Sequence, residues 1–226
     1  MVKWVESKFV GGVSEVTLLT PIKKGLVPGE FWTYEQCLHS VLAEIQSRVE
    51  KNYPTPIQLV PVIHFARWLI LRPEQYLFYE QPLPADMDRY TSWLFFTSNF
   101  DGDLKAYLRD FSVVLGADVD RIWGNCAGYP PRGSRDFDAY WAYARKHQLT
   151  THAFYNAYPG LSVPRIRQLA VFKQRFDAFV ADTRRAEGRS VENLAELFDT
   201  FLAATAAFPE GFPDEAGVYQ VALPTA

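Results

Sequence analysis

Two cysteines in 226 residues, Cys37 and Cys126, exclude a disulfide framework, and neither stands in a C-x-x-C pair. Basic runs are scarce as well. The densest are "RKH" at 145–147 and "RR" at 184–185. With a net charge of −3 and a pI near 5.8, the chain has no electrostatic footprint for nucleic acid. The longest apolar stretch, "LVPVIHFARWLIL", is interrupted by Pro61, His64 and Arg67 and is too short to span a bilayer. The first residues, "MVKWVESKFVGG", contain no apolar core of a secretory signal, so a cytoplasmic location is expected. Missing too are G-x-S-x-G, a P-loop, a Rossmann fingerprint and H-E-x-x-H. Their absence counts against hydrolase, kinase, nicotinamide and zincin chemistry.

Aromatic residues are what the chain has in quantity: six Trp, twelve Tyr and seventeen Phe. Such residues build large cores and also line pockets and interfaces. The length suits a single domain over residues 1–226, able to bury about 70% of its unfolded surface. Within it, four strands are expected at 15–22, 56–71, 91–99 and 118–126, the first rich in β-branched and apolar residues. Helices are expected at 28–52, with Thr33 or Glu30 as cap, and at 103–117, from helical spacing of the apolar positions. That order, β-α-β-β-α-β, is the ferredoxin-like split βαβ over about 13–127. An α-β-α-α extension over about 135–207 follows, with a helix at 135–148 and a strand at 150–158. Its last two helices start at Ser162 and Ser190, both good N-caps. The tail 208–226 reads as an irregular cover strand.

Right-handed crossovers place both helices of a split βαβ on one sheet face. Yet the expected second and third strands are apolar on both faces. Trp93 and Phe95 alternate with Leu94 and Phe96, and Val62, Ala66 and Trp68 alternate with Ile63, Phe65 and Leu69. Something must therefore cover the helix-free face. Either the C-terminal elements do so, or a second subunit does, and a homodimer is the expectation.

The stretch "TSNFDGD" at 97–103 is a dense polar knot after an apolar strand. Asn99, Asp101 and Asp103 mimic a calcium loop, but the sixth position is Leu104 where an EF-hand needs Gly, so calcium is rejected. Asp103 suits a helix cap and Gly102 a turn, whereas Asp101 has no capping duty. Arg67 inside an apolar strand calls for a partner, and Asp101 is the carboxylate expected to pair with it. His64 on the same strand is either a core histidine or a base aimed into a cavity. His152 and Tyr155 lie on the expected strand at 150–158, and Arg165 and Arg167 sit early in a helix, an odd place for cations that hints at anion contact. His147 suits a helix C-terminus as a cation, and Cys126 reads as an inert small residue. No ligand spacing supports a zinc site from His64, His147 and His152.

The strand order and short motifs resemble the dimeric α+β barrel superfamily, which includes cofactor-free monooxygenases, polyketide cyclases and the haem enzymes of the chlorite-dismutase and dye-decolourising peroxidase groups. The peroxidases carry Gly-x-x-Asp-Gly between a strand and a helix. "SNFDG" matches it at Asp101 and Gly102, with Ser98 in place of the leading Gly. The resemblance implies an oxidative, haem-assisted enzyme acting on a small hydrophobic or aromatic molecule. Asp101 and Arg67 would handle proton and charge, His152 or His64 would ligate iron, and Arg165 would help bind the cofactor. Two alternatives stand beside it. One is a cofactor-independent cyclase or monooxygenase using His64 or Tyr155, and the other a binding or accessory protein.

Overall fold

The computed structural model describes residues 7–76, 91–185 and 191–205, and a four-stranded antiparallel sheet lies at its centre. Its strands are β1 (Phe9–Val10), β2 (Val13–Pro21), β3 (Ile63–Leu71) and β4 (Trp93–Asp101), in the spatial order β1-β2-β4-β3. Both β2 and β3 pair antiparallel with β4, so they run parallel to each other on either side of it. The short β1 was not anticipated, although "FVGGV" carries its signal. Gly11 and Gly12 both take positive φ, which a two-residue hairpin turn demands.

Seven α-helices occur among the described residues: α1 (Tyr34–Glu50), α2 (Pro73–Tyr76), α3 (Leu104–Val114), α4 (Gly116–Trp123), α5 (Phe137–His147), α6 (Val163–Arg185) and α7 (Val191–Thr205). Local chemistry explains their starts. Thr33 closes a capping box with Gln36 at α1, Asp103 accepts from Ala106 N at 2.7 Å at α3, and Ser162 Oγ accepts from Arg165 N at α6.

The core lies between one sheet face and a helical layer. Val16, Leu18, Leu94, Phe96 and Phe100 point into it and meet Leu38 of α1, Tyr107 and Phe111 of α3, Trp123 of α4 and Tyr140 of α5. Phe100 and Tyr107 stack with centroids 3.8 Å apart, and Trp123 meets Phe96 edge-on at 5.3 Å. Aromatic pairs of this kind contribute about 1 kcal/mol each beyond burial. The polar knot is partly absorbed here as well: Tyr107 donates to Ser98 Oγ, which donates to Phe65 O. On the opposite sheet face Trp93, Phe95, Leu69 and Leu71 are half-buried, and Phe65 is 75% exposed.

Three expected elements differ. The stretch 118–126 is not a strand: Val119, Ile122 and Trp123 are buried at helical spacing and form α4. What borders the outer edge of β2 is instead a set of short contacts. Leu149 N donates to Thr17 O, Ala127 N to Pro21 O and Lys23 N to Asn125 O. The stretch 150–158 has no regular structure. Asn156 there accepts from Tyr158 N, a local pattern that competes with strand pairing, and donates to Val10 O of β1. Residues 56–59 form a 3₁₀ turn, and β3 starts only at Ile63. The expected tail at 208–226 lies outside the described residues. The result is a mixed α+β fold whose C-terminal extension adds helices but, among the described residues, no strand.

Candidate functional site

The register of β3 against β4 slips between Ile63 and Phe65, which makes His64 the extra residue of a β-bulge. Strict alternation puts His64 with Ala66 and Trp68 and sets Arg67 opposite. The bulge breaks that alternation and turns the His64 ring toward the last residue of β4. There Asp101 N donates to Val62 O at 2.9 Å, anchoring its backbone to the same stretch of chain.

His64 Nε2 lies 2.8 Å from Asp101 Oδ1. Asp101 Oδ2 accepts from Val163 N, also at 2.8 Å, so the first N–H of α6 caps the carboxylate. The two side chains are 12% and 11% exposed, which shields the contact from water. An ionised carboxylate can only accept, so Nε2 donates to it, and in the neutral ring Nδ1 keeps its lone pair. Gly102, at φ +86°, makes the turn that releases the chain from Asp101 into the α3 cap. Two acids one residue apart thus divide the work: Asp103 caps a helix and Asp101 holds a histidine.

His64 opens onto a groove of about 580 Å³ between α1, the 3₁₀ turn and the outer edge of β3. Its walls are apolar, with Leu42, Val49, Ile63 and Trp68 among them, and its polar groups include Arg67, Arg167 and His39. Arg67 does not pair with Asp101, as had been expected. His64 takes that carboxylate, and Arg67, opposite Thr97 on the other strand, is exposed and in no ion pair among the described residues. Arg167 joins the groove from α6. Its early-helix position carried the signal, whereas nothing in the sequence marked His39.

The remaining candidates lie elsewhere. Tyr155 is 85% exposed and His152 is exposed, both on the irregular segment that replaces the expected strand. Arg165 is 3% exposed, at the start of α6. His147 ends α5, the helix C-terminus expected for it; there it packs on Tyr143, and burial is the main cause of its lowered pKa. Burial pushes the Cys126 thiol up to about 12, against a smaller opposing effect of Thr20, in keeping with an inert residue. One carboxylate escaped notice: Asp120 accepts from Tyr129 OH and Ser134 N and locks the loop after α4.

These residues are a poor match for haem. His64 offers iron only Nδ1, because Nε2 is held by Asp101, and His152 stands exposed on a loop outside the groove. Among the described residues, no three His, Cys, Asp or Glu side chains converge as metal ligands. No described helix is long and apolar enough to cross a membrane. In comparisons with known proteins, no family model, no curated protein and no solved structure matches the chain.

Proposed function

We propose that the chain is a small-molecule enzyme that works by proton transfer at His64, without a cofactor, on a hydrophobic or aromatic substrate in the groove. The observation that carries this reading is the 2.8 Å contact of His64 Nε2 with Asp101. A carboxylate behind an imidazole fixes its tautomer and stabilises the imidazolium formed when Nδ1 takes a proton. Asp101 need not accept that proton itself. The finer fold expectation belongs to the same reading. Two parallel strands flanking an antiparallel one support a ferredoxin-like unit that pairs into a dimeric α+β barrel, with segments 125–127 and 147–149 standing where a fourth strand runs.

A generic aromatic carbon acid tests the base. In 5-nitrobenzisoxazole, a base removes the ring C–H proton as the N–O bond breaks, releasing a coloured phenolate. The intact chain is expected to open it faster than free imidazole at equal concentration. His64→Gln should lower kcat/KM about a hundredfold or more, and Asp101→Asn should also lower it. Asp110→Asn, exposed and outside the site, should not. A rate no better than imidazole, or one indifferent to His64, refutes the proposal.

A binding or accessory role is the second reading. The Val163 N–Asp101 bond favours it, because that bond ties α6 to the sheet. Asp101→Asn then lowers only the melting temperature.

A further inference from the structure

We propose that the groove selects a small amphiphilic carboxylate, an alkyl or aryl acid, with its head group between Arg67 and Arg167 and its apolar body against α1 and β3. The inference names the substrate class of the site above and rests on that reading of the groove.

The formal charges lining the groove are of one sign. Arg67 and Arg167 supply them, and among the described residues no Asp or Glu lines it, although the whole chain carries a net charge of −3. Local charge, not the field of the molecule, therefore draws an anion here. Other arginines are already engaged: Arg72 with Glu35, Arg121 with Glu44 and Asp118, Arg132 with Asp136. Arg67 and Arg167 form no ion pair among the described residues and are both exposed. Helix stability does not account for Arg167, which sits one turn into α6 where the dipole disfavours a cation. Guanidinium groups hold carboxylates through paired N–H donors, which gives direction as well as charge. The remaining wall, from Leu42, Val49, Ile63 and Trp68, asks for an apolar body, and about 580 Å³ falls within the usual range of small-molecule sites.

Titration calorimetry on the full chain, with decanoate, decanol and acetate as probes, separates head group from tail. Decanoate is expected to bind at least about tenfold more tightly than decanol, with no saturation by acetate. The double variant Arg67→Gln/Arg167→Gln should bring decanoate down to the decanol level. Both residues are exposed, so folding is not at stake, and circular dichroism confirms it. Arg135→Gln, outside the groove, should change nothing. Ala43→Trp, which fills the groove, should abolish binding of both long probes. Equal binding of decanoate and decanol, or decanoate binding that ignores both arginines, overturns the proposal. Benzisoxazole turnover measured alongside keeps the two readings apart. Arginine-dependent binding without His64-dependent turnover defeats the base alone, and the converse defeats the carboxylate site alone.

Discussion

Asp101 shows how far a single residue can be read from sequence. Its neighbours Gly102 and Asp103 are legible because their roles are local: a positive φ in one case, a cap three residues from its N–H in the other. Asp101 is legible only by subtraction, as the acid without a capping task. Its partner is not legible, since a one-residue bulge turns His64 toward it while Arg67 pairs four residues away at Thr97, and no local rule fixes that bulge. Charge at single residues also sets the response to acid. Burial, aided by Lys146, holds His147 below its ordinary 6.5, while a backbone contact with Leu19 opposes this. A histidine depressed in the folded state contributes stability that is full above about 6.5 and lost as pH falls through its folded value. The melting temperature should therefore fall as pH drops below 6.5, and His147→Gln should flatten that part of the curve. An unchanged slope in the variant counts against this. Glu35 acts in a separate, lower window. Burial pushes it up, but Ser92 Oγ and Arg72 Nε, each at 2.7 Å, outweigh that and hold it below its ordinary 4.5.

Among elements, those with one clear period were readable. β2 and β4 alternate between a core face and an open face, and α1 and α3 combine a capping residue with helical spacing. The stretch 118–126 misleads because it is short and sets apolar residues among polar ones without a strand alternation. Val119, Ile122 and Trp123 satisfy the helix, and burial against Phe96 decides it. The stretch 150–158 misleads in another way. Its alternating large and small residues imitate a strand, but Asn156 spends its side chain on nearby backbone and Tyr155 stays in solvent. Helices α6 and α7 were expected and pack on each other through Phe172, Phe176 and Phe179 against Phe201. The groove itself is a product of elements far apart in sequence, so no motif announces it.

For the molecule as a whole, the open sheet face carries the expectation of a dimer. Trp93, Phe95, Leu69 and Leu71 stay half-buried there beside the exposed Phe65, apolar surface of a kind that a second copy can cover. Light scattering at micromolar concentration should give twice the 25.8 kDa of the chain, and a monomer mass speaks against the pairing. The contact between His64 and Asp101 carries the proposed site at this sheet edge, and NMR of the histidine ring nitrogens in the full-length chain reads it directly. Where the ring is neutral, the expected tautomer carries its hydrogen at Nε2 and leaves Nδ1 bare, with Asp101→Asn perturbing both nitrogens. A hydrogen on Nδ1, or a His64 spectrum indifferent to Asp101→Asn, contradicts the dyad.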